Sequence, residues 1–253
     1  MQTHFKIIMP FYNVEKWIRA TLRSVKLQSY DNFQCIIVDD MSSDNSAAIV
    51  QEVIEGDPRF VFVENQEKKY VLKNICGAID LSNPGDEDVI VVLDGDDWFA
   101  GKDVLSLLDE TYKREKCWLT YGSYMEYPQN IKGKFAQEVP KRVIDENLFR
   151  QSAWMTSHLR SWKYGLWKHI DQQKCFSEPD AIDNNNHFAF CWDLAYMFPL
   201  LELAGEKIHY ISEILYIYNR QNPLNVDKIK HQTQLSMEQK IRNMERCLPL
   251  RRL

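Results

Sequence analysis

The sequence lacks three patterns, each of which would point to a particular class of protein. It has no G-x-G-x-x-G, no C-x-x-C pair among its six cysteines, and no apolar run near the ~20 residues of a membrane span. These absences argue against a Rossmann dehydrogenase, a zinc or disulfide framework, and a membrane-spanning helix. Because several cysteines sit inside apolar runs, we expect buried free thiols in a reducing compartment.

Composition sets the scale of the fold. The 253 residues are 45% hydrophobic and 12% aromatic, which suits one large domain with a substantial core. A formal net charge of −5 and a pI near 5.7 disfavour general nucleic-acid binding. The N-terminus enters a strand-like run without a signal-peptide pattern, so we expect a soluble, cytoplasmic protein.

Three short apolar runs in the first hundred residues predict buried strands. They are "FKIIM" (5–9), "QCIIVD" (34–39) and "VIVVLD" (89–94), nearly continuous and rich in β-branched residues, as in parallel strands covered on both faces. Stretches with helical apolar spacing separate them, and "FVFV" (60–63) is a further candidate strand. This alternation predicts an α/β protein with a doubly wound, mostly parallel sheet flanked by helices.

The pattern loosens after residue 100. We expect a helix over about 102–115, a strand over 117–122, a polar irregular stretch over 123–150, and a late helix ending at Gly205. The domain prediction is a single domain over 1–226, with a nucleotide-binding half (1–100) and an acceptor-side half (101–226), followed by a helical extension over 227–253. The extension either docks on the domain or pairs with a second copy as a homodimer.

Three aspartates crowd the end of the third predicted strand, in "VLDGDDW". Asp94, Asp96 and Asp97 supply hard oxygen ligands on a tight turn, which suits Mn²⁺ or Mg²⁺ held together with substrate phosphates. An acidic turn left in water is the alternative. We favour the metal because ligands gather at the carboxyl ends of strands in open α/β sheets, where two further polar loops are also expected.

Those two loops offer groups for a nucleotide. Asp39 and Asp40 stand at the tip of the second strand, where a carboxylate can accept the imide N–H of uracil. Pro10 and Tyr12, at the tip of the first, can form a ledge against a base or ribose, although packing is an equally good role for Tyr12.

In order and spacing, "IIMPFYN", "IIVDDMSSDNS", "LKN" and "VVLDGDDW" resemble the opening of GT-A fold glycosyltransferases of the inverting family 2. The resemblance is close over about residues 4–100 and looser beyond. It implies a GT-A fold, a nucleotide-sugar donor, and an acceptor hydroxyl on a glycan or protein. The stretches "SHLRSWKYGLW" and "ILYIYNRQNPLN" also resemble a subset of these transferases that is found in large DNA viruses and some bacteria. If the protein is viral, we expect it in the cytoplasm of the host cell.

The resemblance also implies roles for individual residues. Asp94 and Asp96 would hold the ribose and the metal-bound diphosphate, with Asp97 as a second ligand or a neighbour that fixes the loop. Met41 and Lys73 depart from the family pattern, which has Gly and Arg at these positions, and Lys73 offers a point charge where Arg offers a fork. The predicted nucleotide-sugar residues are Pro10, Phe11, Tyr12, Asp39, Asp40, Lys69, Lys73, Asn74, Asp94 and Gly95.

An inverting transferase also needs a base opposite the leaving group. The family pattern places an E-D pair before a W-D-L motif, but here Phe190 and Cys191 occupy that position. Asp193 is the carboxylate at the start of the late helix and is the predicted base; the alternative is that it only complements the helix N-terminus. Asp180 and Asp183 are reserves. Further candidates for contacts with the acceptor or the phosphates are His158, Arg160, Lys163 and Trp98.

The leading hypothesis is therefore a metal-dependent inverting glycosyltransferase that uses a UDP-sugar. A sugar-nucleotide pyrophosphorylase would need a Gly-rich loop after the first strand, where "PFYNVEKW" has no glycine. A dehalogenase-type phosphatase would carry its D-x-D after the first strand. A catalytically weak nucleotide-sugar or glycan-binding protein is the non-enzyme alternative, suggested by the missing E-D pair.

Overall fold

The structure is a computed structural model that describes residues 2–176, 191–224 and 231–253. The predicted boundary at residue 226 and the reserve carboxylates Asp180 and Asp183 lie outside the described residues. So does Phe190.

The first half forms the parallel sheet that the apolar runs predict. Its strands are β1 (Phe5–Phe11), β2 (Phe33–Asp39), β3 (Phe60–Glu64) and β4 (Val89–Val92), in the spatial order β3-β2-β1-β4 with all three pairings parallel. The connecting helices are α1 (Ile18–Lys26), α2 (Ser46–Ile54) and α3 (Tyr70–Leu81). Strands β1 and β4 are buried along their whole length, as expected for strands covered on both faces.

The second half extends the same sheet. Strands β5 (Trp98–Phe99), β6 (Leu119–Tyr127), β7 (Ile131–Lys132), β8 (Arg160–Lys163) and β9 (Ile208–Asn219) continue it in the order β4-β8-β6-β9-β5, with β7 paired to β6. The helices are α4 (Val104–Glu115), α5 (Lys141–Asp145), α6 (Tyr164–Trp167), α7 (Gln172–Phe176), α8 (Trp192–Ala204) and α9 (His231–Asn243). The predicted α/β class, with a mostly parallel first half of the sheet flanked by helices, is confirmed.

The helices cover both faces of the sheet. On one face α1 and α4 bury Leu22 and Leu105, and on the other α3 and α8 bury Ile75 and Leu200. Burial on both sides fixes the sheet between two apolar layers, so the strand ends project into loops that are free to build a site.

Strand β8 and the length of β6 were not predicted from the sequence. β8 lies antiparallel to β4 and joins it to β6, and Ser161 in its middle shares hydroxyl hydrogen bonds of 2.6 Å with Thr120 and 2.9 Å with Tyr112. A four-residue strand with a polar residue at its centre is too short to show a hydrophobic period. The hydrogen-bond partners that allow Ser161 to be buried lie far away in the sequence, so nothing local predicts them.

The C-terminal segment docks on α8. Arg150 pairs with Glu202 of α8 at 2.6 Å and donates to the carbonyl of Ile241 in α9, while the N–H of Cys247 donates to Glu202 at 2.9 Å. The docked position was one of the two expected for this segment; the homodimer stays a prediction.

All six cysteines are free, and all but Cys247 are buried, as their apolar surroundings predict. In the described part of the chain, no helix has both the length and the apolar character needed to cross a bilayer.

Candidate active site

Two adjoining clefts open where the strands of the sheet end. The first, of about 380 Å³, is lined by the ends of β1 and β4, by α3 and by the start of α8. The second, of about 830 Å³, is lined by β6, the β6–β7 hairpin, α8 and α9. His158, Arg160 and Asp193 line both clefts and so stand at their junction.

The turn after β4 forms the floor of the first cleft. A Cβ on Gly95 would lie 2.4 Å from Cβ of Phe11, so only glycine allows this turn to rest against the end of β1. The close approach sets Asp94 and Asp96 beside Pro10, Phe11 and Tyr12, as the strand-end argument predicts. Asn222, after β9, donates to Oδ2 of Asp96 at 2.7 Å.

Asp97 is the exception among the three predicted metal ligands. It is 1% exposed; its Oδ1 accepts from the N–H of Asn219 at 2.7 Å and its Oδ2 from the hydroxyl of Tyr216 at 2.6 Å. With both oxygens bonded to β9, Asp97 fixes the acidic turn to that strand, the second of its two predicted roles.

Burial and mutual repulsion make the carboxyl groups of the acidic turn harder to ionise. Desolvation first, and then the neighbouring Asp96, raise the pKa of Asp94 to about 7. The pKa of buried Asp97 is also raised, chiefly by desolvation and then by the charges of Asp96 and Asp94. A divalent cation placed at Asp94 would displace the proton of that carboxyl group.

We expect Asp94→Asn to stabilise the ligand-free protein at pH 8. Because the folded-state pKa of Asp94 lies above that of an unfolded Asp, the wild type loses stability as the pH rises from about 4 to about 7, by at most about 4 kcal/mol from this group. The amide removes that loss. Urea unfolding should give the variant an advantage of about 1–3 kcal/mol at pH 8 that shrinks towards zero near pH 4.

Glu110→Gln is the matched control, because it removes one exposed negative charge on α4. Its stability should follow the wild type at both pH values. An Asp94→Asn protein no more stable than the wild type at pH 8 would contradict the argument.

The wall of the first cleft beside β1 carries an aromatic ring and a cation. The Nζ of Lys68 lies 2.9 Å from the ring centroid of Tyr12 and 3.6 Å from Oδ2 of Asp40. Asp40 also accepts the backbone N–H groups of Lys69 and Tyr70, which fixes the loop before α3. A flat ring and an ammonium at the cleft edge are groups that can hold a base and a phosphate.

The cation of this wall is Lys68, whereas the sequence predicted Lys69 and Lys73. Neither predicted lysine lines the cleft. Asn74, which does line it, is 3% exposed and faces inward from α3, so Lys73 one position earlier is turned about 100° away from it around the helix.

Asp39 also lies outside the lining of the cleft. It is buried at the tip of β2, and its Oδ1 accepts the N–H of Ser42 at 2.8 Å. Of the two neighbouring carboxylates, Asp40 is the one at the cleft wall, and the proposed contact of Asp39 with the base stays a prediction.

Asp193 occupies the junction of the two clefts. It lies in the first turn of α8, its side chain is 23% exposed, and its Oδ2 accepts from the guanidinium of Arg160 at 3.0 Å. Arg160 is buried next to Tyr196 and lies near Asp94. The ion pair holds the Asp193 carboxylate at the opening between the clefts, where a proton acceptor for a second substrate would be needed.

His158 contributes an uncharged aromatic ring to the wall of both clefts. It stacks on Tyr216 with centroids 4.4 Å apart and on Tyr218 at 5.6 Å. Burial first, and then the charge of Arg160, hold its pKa well below the usual range. The imidazole is therefore neutral at neutral pH and can contact a substrate by its face or a nitrogen but offers no charge to a phosphate.

Two predicted contact residues lie elsewhere. Because β8 runs antiparallel to β4, Arg160 pairs with Val92 at the cleft end, while Lys163 pairs with Val89 at the opposite end and binds Glu87 at 2.7 Å. Trp98 packs edge-on against Tyr127, with centroids 5.2 Å apart, and lines neither cleft. Neither residue lines a cleft in this structure, and their role as substrate contacts stays a prediction.

Several lining residues were missed by the sequence reasoning: Lys68, Tyr70, Trp192, Tyr218 and Asn222. Asn222 sits in the "RQNPLN" stretch, whose Asn225 lies outside the described residues. The others carry no signal, because their positions depend on how a loop or a strand end is turned.

The acidic turn supplies some, but not all, of the oxygen ligands that a divalent cation needs. Asp94 and Asp96 offer hard oxygens, as Mn²⁺ and Mg²⁺ prefer. Among the described residues, no group of three or more His, Cys, Asp or Glu side chains is arranged to hold a metal ion. A cation at this turn would therefore need further oxygens from a bound ligand such as a diphosphate.

Comparison with known proteins agrees with the geometry. The family model described as Glycosyl transferase family 2 matches residues 6–183. Glycosyltransferase GlyA of Streptococcus pneumoniae is 23% identical over 218 residues, an alignment that covers 84% of the chain and 30% of GlyA. The chain thus spans less than a third of the length of this curated relative.

Solved structures show the same fold. TarS of S. aureus in complex with UDP-GlcNAc matches with a TM-score of 0.63 and 16% identity, over 87% of this chain and 59% of that chain. The mannosyltransferase PcManGT of Pyrobaculum calidifontis, in complex with GDP-Man and Mn²⁺, matches with a TM-score of 0.63 and 15% identity, over 98% and 66%.

Proposed function

The chain belongs to glycosyl transferase family 2, and we propose that it transfers a sugar from a UDP-sugar to an acceptor hydroxyl, with a divalent cation and with inversion at the anomeric carbon. The observation that carries the proposal is where three carboxylates lie relative to the junction of the two clefts. Asp94 and Asp96 lie on the floor of the first cleft, and Asp193 stands where that cleft meets the second.

The first cleft is the proposed donor site. Its volume of about 380 Å³ falls in the usual range for small-molecule sites. Tyr12 offers a flat surface for the uracil or ribose, Lys68 a charge for the phosphates, and Asp94 an acceptor for a ribose hydroxyl. UDP-GlcNAc is bound by TarS, which supports a UDP-sugar.

Mn²⁺ or Mg²⁺ is the proposed cofactor, held by Asp96 and Asp94 together with the donor's phosphates. When bound it would neutralise charge that develops on the departing diphosphate. The complex of PcManGT with GDP-Man and Mn²⁺ supports a metal-assisted donor site on this fold. The raised pKa of Asp94 is consistent with a turn whose negative charge is neutralised by a bound cation.

The second cleft is the proposed acceptor site, and Asp193 the proposed base. Arg160 holds the carboxylate in place, so that it can accept the proton of a hydroxyl entering from the second cleft as the oxygen attacks the anomeric carbon. The hydroxyl belongs to a glycan or a protein. Trp154 also lines this cleft and offers an aromatic face for a sugar ring.

The test of the proposal is UDP release from UDP-sugars with Mn²⁺, Mg²⁺ or a chelator. We expect turnover only with the metal, and a loss of at least about 100-fold in Asp96→Asn, because one charged ligand of the leaving group is gone. Donor plus Mn²⁺ at 100 times Kd should stabilise the wild type by about 2.7 kcal/mol, roughly 5–10 °C in Tm.

Asp86→Asn is the control, since Asp86 is exposed and pairs with Lys168 away from the clefts. It should behave as the wild type. Full turnover in the chelator would refute the metal, and a larger Tm shift with GDP-sugars than with UDP-sugars would refute the choice of nucleotide.

A further inference from the structure

A short hairpin at the rim of the second cleft presents apolar and cationic side chains together. Ile131 is 55% exposed and Phe135 43% exposed, and Lys132 and Lys134 are exposed beside them. Leu235 of α9, 53% exposed, lines the same cleft. We name these five residues the hairpin patch. Large apolar side chains grouped at one rim are unusual on a free surface and mark an interaction site.

The hairpin is held firmly. The N–H of Gly133 donates to the carbonyl of Tyr124 at 2.9 Å, and a Cβ at Gly133 would collide with the Tyr124 ring. The N–H of Asn130 closes the turn on the carbonyl of Glu126 at 2.8 Å. The exposure of Ile131 and Phe135 is therefore imposed by well-packed backbone, which presents them outward in a fixed geometry.

The charges around the second cleft leave the patch positive. The carboxylates that line this cleft are paired with arginines: Asp193 with Arg160 at 3.0 Å, Glu126 with Arg220 at 3.8 Å, and Glu238 with Arg242 at 2.8 Å. Within the described residues, neither Lys132 nor Lys134 has a carboxylate within 4.0 Å, the limit that defines an ion pair. The patch is thus a local cationic spot on a chain of net charge −5.

We propose that the hairpin patch docks on the surface of an anionic lipid bilayer, with Ile131 and Phe135 entering the headgroup region and Lys132 and Lys134 meeting lipid phosphates. Exposed apolar side chains beside lysines are the combination by which peripheral proteins bind such surfaces. A protein of net negative charge is repelled by an anionic bilayer except through such a spot. Docking here would set the mouth of the second cleft against the membrane, within reach of a glycan acceptor attached to a lipid.

This inference goes beyond the proposed function and needs no sugar transfer. The test is co-sedimentation of the whole chain, without donor, with vesicles of phosphatidylcholine alone or mixed with phosphatidylglycerol. We expect binding to the mixed vesicles that weakens with salt. Lys132→Gln/Lys134→Gln should bind about 25-fold more weakly, at about fivefold per lysine. Ile131→Ser/Phe135→Ser, which keeps both charges, should bind at least about tenfold more weakly.

Lys16→Gln/Lys102→Gln is the matched control, because it removes two exposed lysines that line neither cleft. It should bind as the wild type does. The proposal is overturned if the wild type stays in solution, if the control loses as much binding as the hairpin variant, or if the serine variant binds unchanged. Circular dichroism and UDP release by each variant separate a folding defect, or a failure of the proposed function, from a failure of docking.

Discussion

Replacing Asp193 by asparagine is expected to lower the rate of sugar transfer by about 10²–10⁴-fold while donor binding stays within a few-fold of the wild type. The amide oxygen can still accept the hydrogen bond from Arg160, so the start of α8 should keep its position. What is lost is a group able to take the proton of the acceptor hydroxyl. Single-turnover transfer with saturating donor, measured beside the donor Kd, separates the two effects.

Glu238→Gln is the control for that experiment, because it removes another carboxylate that lines the second cleft but not the first. Its rate should fall by a few-fold at most. If Asp193→Asn transferred sugar within about threefold of the wild type, the base would have to be another carboxylate, and Asp180 and Asp183 would be tested next.

Arg150→Met is expected to reduce the free energy of unfolding by about 3–5 kcal/mol and Tm by roughly 6–20 °C. Arg150 is 3% exposed and Glu202 is fully buried, and two of the guanidinium nitrogens bond the carboxylate at 2.6 and 3.1 Å. The substitution leaves a buried carboxylate without its cation. It also removes the hydrogen bond to the carbonyl of Ile241, which ties α9 to the domain. Urea unfolding is the measurement.

The double variant Arg150→Met/Glu202→Gln tests the physical reason. Its glutamine is neutral and can still accept the N–H of Cys247, so about half or more of the lost stability should return. If the double variant were no more stable than Arg150→Met, an unpaired charge would not be the source of the loss. Neither Arg150 nor Glu202 lines either cleft.

The buried parallel strands of the first half and the acidic turn that follows one of them can be derived from local sequence. Continuous apolar runs such as residues 89–92 can be satisfied only by a strand buried on both faces, and parallel strands place their following loops at one edge. The prediction that Asp94, Asp96 and Tyr12 meet there needed no more than this, and the shared cleft agrees with it.

The predicted residues that lie away from the clefts do so for a common reason. Lys163 and Arg160 are three residues apart in one stretch, and nothing local says that their strand runs antiparallel to β4, which sends one to the cleft and the other to the far end. Lys69 and Lys73 were the predicted cations, and it is the folding of the loop before α3 onto Asp40 that places Lys68 at the cleft wall instead. Such choices depend on partners distant in the sequence, and a periodic pattern carries no information about them.

The sequence by itself determined the α/β class, the acidic turn at the tip of β4 and the position of the tip of β1 at the same edge of the sheet, because burial patterns and strand ends are local properties. Only the tertiary structure decided that Asp97 would brace the turn through Tyr216 and Asn219, that Arg160 would hold Asp193 at the junction of two clefts, and that Ile131 and Phe135 would stand exposed at the rim. Each depends on residues that lie far apart in the chain, and their free energy is gained only when the sheet has closed around them.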